Sequence, residues 1–348
     1  MRIMRPSQLT RRPRVTVVVP HYNYGQYLPV AVESALNQKG IDVELIIVDD
    51  RSTDGSIEVA RRIAASDDRV ELVEHEHNMR HIRTYNDGLS RATGDYVVLL
   101  SADDAVSPDS ISRSVALMEA YPKVGLVYGR VKWFDGDLPA FRPARTWWQI
   151  WDGEQWIRRL AHRGRNAIAN PEVVMRTSIY RDIGGYEPDF PHAGDMYMWL
   201  QAAARSDIGF VGGSVQGYYR NHGTNMHSNS FGGLLDDMDQ VRSVYDRFYS
   251  RDGSNFAAAT SLVKTSSNAV AREALLRGAL LTAGGAPDDT LHAFRSFAEE
   301  TSQTARRSLA WRWTSLSKSQ YPAVAQSVRA AESIRWKLRT RRAALLGL

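Results

Sequence analysis

The chain has 348 residues, 43% of them hydrophobic and 24% charged, with a mean hydropathy of −0.38, which suits a soluble globular chain of one large domain or two. No apolar run approaches the roughly 18–20 residues of a membrane span, and the absence of cysteine excludes disulfides, thiolate metal sites and cysteine nucleophiles, as expected in a reducing cytoplasm. The net charge of +5 is uneven: residues 1–230 carry 27 basic and 28 acidic side chains, residues 231–348 carry 17 and 11, so the basic character belongs to the tail.

Met1 to Arg14 is basic and lacks the apolar centre of a secretory leader, so residues 1–13 read as a disordered basic arm. Val15 to Val19 is a β-branched strand stopped by Pro20, and Tyr24 to Asn37 has helical periodicity. Val43 to Val48 is the next strand, ending in Asp49-Asp50; Ser52-Thr53-Asp54-Gly55 is turn and cap chemistry before a helix reaching about Ala65. A short strand at Val70 to Val73, a helix from Arg80 to Ala92 and a strand from Tyr96 to Leu100 follow. Strands separated by helices in this way indicate βαβ units and a mostly parallel sheet, the α/β class. A helix from Ser110 to Tyr121 and a strand at Val124 to Val131 continue the pattern.

From Asp135 to Arg165 the pattern loosens around Trp147, Trp148, Trp151 and Trp156, which could close one edge of the core or form an aromatic wall for a sugar or an apolar acceptor. A strand at Glu172 to Met175, a short helix at Ile179 to Ile183, a helix from Asp195 to Arg205 and a strand near Ile208 to Val211 complete this part. Beyond residue 230 strand signals vanish, and apolar residues at helical spacing, such as Val324, Val328, Ala331, Ile334 and Leu338, predict an all-helical region over 230–348.

Five clusters carry chemistry. Val19-Pro20-His21-Tyr22-Asn23-Tyr24 follows the first strand, where a dinucleotide-binding domain would place its glycines; their absence leaves a turn with an aromatic face suited to a flat heterocycle. Asp49-Asp50 and Ser101-Ala102-Asp103-Asp104 place carboxylates at the ends of buried strands, where desolvated charge is unfavourable without a partner. The second pair could serve the helix that starts near Ser107-Pro108-Asp109, or could gather a divalent cation. Asp195 opens an amphipathic helix after Gly184-Gly185-Tyr186-Glu187-Pro188, where a helix cap competes with a catalytic role, and Tyr218-Tyr219-Arg220-Asn221-His222 brings a cation and an imidazole to a strand end.

In this order and spacing, the five motifs resemble a family 2 glycosyltransferase of the GT-A fold, over Val15 to His227. The resemblance places a GT-A domain at 14–229 and leaves a helical basic domain at 230–348. It implies that Pro20, Tyr22, Asn23 and Asp50 bind the nucleoside of a nucleotide-sugar donor, with a UDP-sugar expected. Arg80 or Arg83 would approach the donor, and Asp103 would touch its ribose or sugar. Asp104 would ligate Mn²⁺ or Mg²⁺, His222 would contact the metal or diphosphate, and Asp195 would be the catalytic base of an inverting transfer. Two departures stand out: Ser-Ala-Asp-Asp replaces the commoner Asp-x-Asp, and Gly194 precedes Asp195 where many members carry Glu. Gln155-Trp156-Ile157-Arg158-Arg159 precedes Asp195 and does not match the Gln-x-x-Arg-Trp of processive synthases, so one sugar is expected per encounter.

Competing readings are a nucleotidyltransferase, which usually has a Gly-rich basic loop after its first strand, and a non-catalytic nucleotide-sugar-binding protein with a degenerate domain. The acceptor, whether glycan, lipid-linked intermediate, peptide or small molecule, is not encoded in any motif. For the tail, the alternatives are a packed helical domain supporting a homodimer, or peripheral attachment to the inner face of the plasma membrane through Trp311, Trp313, Trp336 and nearby arginines. No nucleic-acid recognition motif is present, and no nucleic-acid partner is expected.

Overall fold

In the computed structural model, which describes residues 2–223, 233–253, 259–283, 285–314 and 323, strands and helices alternate much as the periodicity predicts. The order is β1 (Arg2–Met4), β2 (Arg14–His21), α1 (Leu28–Leu36), β3 (Asp42–Asp49), α2 (Ser56–Ser66), β4 (Val70–Glu74), α3 (His81–Ser90) and β5 (Tyr96–Leu99). Then come β6 (Ala105–Val106), α4 (Ser110–Ala120), β7 (Val124–Asp135), β8 (Trp147–Trp151), α5 (Gly153–Arg163) and β9 (Val174–Arg176). The sheet part closes with α6 (Thr177–Ile183), α7 (Gly194–Arg205) and β10 (Asp207–Asn221). Beyond it lie α8 (Leu234–Arg251), α9 (Ala259–Ala283), α10 (Asp288–Thr301), a 3₁₀ turn at Ala305–Arg307 and α11 (Leu309–Thr314).

The strands join one mixed sheet in the order β4-β3-β2-β5-β9-β7-β10-β8-β1, with β6 paired to β10. Strands β4, β3, β2 and β5 run parallel, and β9 enters antiparallel between β5 and β7. Their near-continuous apolar sequences follow from cover on both faces: Val15, Val17, Val18, Val19, Leu45, Ile47 and Val48 are fully buried. Chain order reverses between β2 and β5, since β3 and β4 lie on one side of β2 and β5 on the other. Such a reversal opens a crevice outside the carboxyl ends of the strands.

Three local expectations are corrected. The N-terminal arm is ordered: Arg2, Ile3 and Met4 pair antiparallel with Ile150, Gln149 and Trp148. Arg11 then grips Glu119 and Asp95 at 2.7 Å and 2.9 Å. The arm has order because β8 presents a sheet edge that an extended chain can complete. The tryptophan cluster is core, not a sugar wall: Trp147, Trp148, Trp151 and Trp156 are all buried. Helix α1 begins at Leu28, four residues later than its periodicity suggests, because Tyr24 to Tyr27 form a turn and Pro29 favours a first-turn position.

The chain divides into two compact units, one of residues 1–153 and 168–229 and the other of residues 154–167 with the described residues between 230 and 347. In the second, α9 packs with α8 and α10 around Tyr245, Phe248, Leu275, Phe294 and Ala298. Segment 154–167 joins it closely: Tyr245 Oη donates to the Leu160 carbonyl at 2.7 Å, and Gly164, at φ +69°, lies where a Cβ would stand 2.4 Å from Ala269 backbone. Among the described residues, no helix is long and apolar enough to cross a membrane. Trp311 and Trp313 are half-buried, Trp311 lying beneath Arg295 and Arg306. Trp336 and the stripe from Val324 to Leu338 lie outside the described residues, as do residues 224–227.

Candidate active site

The loops after β2, β3 and β4 meet at the crevice, and each carries a non-glycine residue in left-handed backbone: Asn23 (φ 57°), Arg51 (φ 66°) and Arg80 (φ 65°). Such conformations are held only where the surroundings over-determine them, and here the surroundings are a side-chain network. Asp49 is the structural member of its pair, accepting from buried His21 Nδ1 at 2.8 Å and from Ser52 N and Oγ at 2.9 Å and 2.6 Å. These hydrogen bonds hold its carboxyl below the usual range against the opposing effect of burial.

Asp50 faces the other way along the same loop. Its Oδ1 accepts from Met79 N at 2.6 Å and pairs with His75 Nδ1 at 2.9 Å, while His75 Nε2 lies 3.2 Å from Asp87. Asp50 therefore organises the segment that ends in Arg80. Asn23 engages Thr53 with both ends of its amide, at 2.8 Å and 3.2 Å, and its N–H donates to Ser52 Oγ at 3.0 Å. It clamps the β2 and β3 loops together. Tyr22, beside it, is 42% exposed, and Pro20, next to last in β2, lies opposite Val48. Arg80 and Arg83 are both exposed, Arg80 at the start of α3 and Arg83 within its first turn.

Asp103 and Asp104 sit between β5 and β6 and are both buried. Strand β6 pairs with Gly217 and Tyr218 of β10, which carries the end of β10 to the acidic pair. Arg220 N donates to Asp104 Oδ1 at 2.9 Å, and its Nε donates to the Asp103 carbonyl at 3.0 Å. The guanidinium lies over the rings of Tyr27 and Phe134. His222 Nε2 is 3.0 Å from Asp103 Oδ2, with its ring stacked on Tyr27. His222 thus stands within hydrogen-bond distance of Asp103, next in the chain to Asp104.

Burial, and then the neighbouring charge of Asp103, push the Asp104 carboxyl well above its ordinary value; the Arg220 N–H and charge oppose this. Two adjacent buried carboxylates suit a divalent cation, which would relieve their repulsion. Among the described residues no three acidic or histidine side chains converge as a ready metal cage, so diphosphate and water oxygens would complete any coordination shell.

Asp195 occupies the first turn of α7 and is half-buried. Loss of water pushes its carboxyl up to about 6, against a stabilising hydrogen bond from the Tyr186 hydroxyl. Asn86 positions that tyrosine, donating to the Tyr186 carbonyl at 2.8 Å and accepting its N–H at 2.7 Å. A Cβ added at the adjacent Gly185, whose φ is +107°, would stand 2.8 Å from Asn86 Oδ1, so the position requires glycine.

Two tyrosines tie Asp195 to the acidic pair. Burial raises the hydroxyls of Tyr85 and Tyr219, and in both cases the charges of Asp195, Asp103 and Asp104 raise them further. All three carboxylates therefore act on both tyrosine hydroxyls. His21, His75, Asn86, Tyr85 and Tyr27 were missed at the sequence level. His75, at a strand end like the aspartates, carried the nearest thing to a signal.

Residues 16–181 match the model of Glycosyl transferase family 2. They belong to that family. Curated relatives of the glycosyltransferase segment include EpsE of Bacillus subtilis, 32% identical over 179 residues, covering 50% of this chain and 60% of EpsE. The succinoglycan biosynthesis protein ExoO of Rhizobium meliloti is 36% identical over 117 residues, covering 34% of this chain and 33% of ExoO. The chain thus spans only about 60% of EpsE and a third of ExoO. Among solved structures, residues 1–349 of S. aureus TarS in complex with UDP-GlcNAc superpose with a TM-score of 0.56 at 16% identity, covering 86% of this chain and 92% of that one. The mannosyltransferase PcManGT of Pyrobaculum calidifontis, in complex with GDP-Man and Mn²⁺, gives 0.53 at 19%, covering 86% and 89%. At these identities the likeness is one of fold: this chain is α/β with a GT-A-like mixed sheet and C-terminal helices.

Proposed function

We propose that this chain is an inverting, non-processive glycosyltransferase that moves one sugar from a nucleotide-sugar, with a UDP-sugar as first choice, to an acceptor hydroxyl. The carrying observation is the buried Asp103-Asp104 pair at the end of β5, engaged by Arg220 N–H and His222, with Asp195 in the first turn of α7 of the same unit. That arrangement suits a donor diphosphate on the acidic pair and an acceptor hydroxyl at Asp195. UDP-GlcNAc in TarS and GDP-Man in PcManGT support a nucleotide-sugar donor here.

In this reading Pro20 and Tyr22 offer a surface to the base, Asp50 accepts from base or ribose, and Asn23 holds their loops in place. Arg80 rather than Arg83 approaches the donor, because the Met79 N–H beside it is anchored on Asp50. Asp103 contacts ribose or sugar, steadied by His222. Mn²⁺ or Mg²⁺ bound at Asp104 would supply positive charge to the leaving diphosphate. Asp195 takes the acceptor proton as the hydroxyl oxygen attacks the anomeric carbon and the bond to the diphosphate oxygen breaks. Attack from the face opposite the leaving group inverts the anomeric centre. General-base help of this kind contributes about 10²–10⁴-fold.

The test is release of nucleoside diphosphate from a panel of nucleotide-sugars, with and without Mn²⁺ or Mg²⁺, by the full chain and by Asp195→Asn. Release from at least one donor, lost in the variant while UDP still binds, is expected. No release from any donor would leave a binding protein instead.

A further inference from the structure

We propose that Trp133 and Tyr219 form a stacking platform for a pyranose ring of the acceptor, so that the acceptor is a saccharide. The proposal rests on the glycosyltransfer reading and adds the acceptor class to it. Trp133 is 57% exposed on β7, the most exposed large hydrophobic of the sheet unit among its described residues. Single exposed apolar residues are ordinary, so exposure by itself assigns nothing.

Its position does. Trp133 is the register partner of Tyr219, and their ring centroids are 4.1 Å apart. The next pair along the ladder is Phe134 with Arg220, whose N–H donates to Asp104 at 2.9 Å. One ladder step is about 3.4 Å, so the aromatic pair stands immediately beside the acidic pair. Side chains alternate across a strand: Tyr218 and Phe134 pack together in a small buried cluster, while Tyr219 and Trp133 occupy the opposite sides of their strands.

A broad aromatic face at the edge of a polar cleft matches one substrate chemistry well. The axial C–H bonds of a pyranose form a flat, weakly positive patch, and an indole face carries the complementary negative quadrupole. The ring hydroxyls remain at the rim, free for the carboxylates. A peptide would more often require backbone partners, and a lipid chain a deeper apolar channel. Neither is offered by two tilted rings on a strand end.

The test uses saturation-transfer difference NMR of the full chain with UDP and, separately, methyl β-D-glucopyranoside, methyl β-D-galactopyranoside and methyl α-D-mannopyranoside. Saturation should reach the ring C–H protons of at least one of them. Trp133→Ala should reduce that signal about tenfold, and Trp133→Phe should keep most of it. UDP affinity by calorimetry, measured in parallel, should stay within about twofold and reports that the variants are folded. The proposal is overturned if no pyranoside receives saturation from the unaltered chain, if Trp133→Ala leaves the signal intact, or if UDP binding is lost along with it. Nucleoside diphosphate release needs no added methyl pyranoside, and the platform test needs no nucleotide-sugar, so failure of the platform and failure of the glycosyltransfer reading are separate results.

Discussion

At the scale of single residues, the decisive group is Asp195. With its carboxyl pushed up to about 6 by burial, it is largely a carboxylate at neutral pH but a stronger base than an exposed aspartate. Transfer should therefore fall about tenfold per pH unit below 6, and a pH–rate profile of kcat would show that acid limb. The same shift bears on stability. An aspartate whose pKa rises from 3.8 to about 6 on folding binds its proton more tightly in the folded state. Stability is lost as pH rises from about 4 to about 6, amounting to about 3 kcal/mol above that window. Asp195→Asn should recover most of it at pH 8, read by urea denaturation, while abolishing transfer. A variant with near wild-type turnover would remove Asp195 from the role of base. For Asp104→Ala, calorimetry should show UDP binding that no longer strengthens when Mn²⁺ is added.

At the scale of elements, the cleft depends on how closely α3 approaches the sheet. Gly88 makes that approach: an added Cβ would stand 2.4 Å from Val18 Cγ1 and 2.8 Å from Val48 Cγ2. Both valines belong to the buried strands that carry the donor-side loops. Gly88→Ala should therefore cost about 1–3 kcal/mol through overpacking, measured as a lowered urea midpoint with unchanged slope. Because α3 also carries Asn86, which holds Tyr186 over Asp195, weaker transfer should accompany the loss of stability. Element positions were largely legible in the sequence, since apolar runs bounded by Asp, Gly and Pro mark β2, β3 and β5 almost to the residue. The strand β8 was not, because a Trp-rich segment has no clear period. Strand β1 was equally hidden: three residues hold an extended form only because β8 pairs with them.

At the scale of the whole molecule, every residue of the proposed donor site lies in the unit of residues 1–153 and 168–229. A ligand at a hundredfold excess over its dissociation constant stabilises the state that binds it by about 2.7 kcal/mol. Hydrogen exchange with saturating UDP and Mn²⁺ should consequently slow in β2, β3 and β5 and change little in α8 to α10. Protection centred on the helices instead would move the nucleotide site out of the crevice.

The order of the motifs by itself determined the family resemblance, the α/β pattern and the identity of the acidic residues, because strand-terminal carboxylates are visible wherever a buried run ends. Only the tertiary structure decided how those residues divide their work. Asp49 turned to His21 and Asp50 to His75, Asn23 became a clamp, and His222 came to rest on Asp103. It also exchanged one aromatic feature for another, burying the tryptophans around β8 and leaving Trp133 exposed against Tyr219. The physical reason is common to all of these. Which neighbour a polar group meets, and which ring remains in water, depends on contacts between residues far apart in the chain, and no local spacing records them.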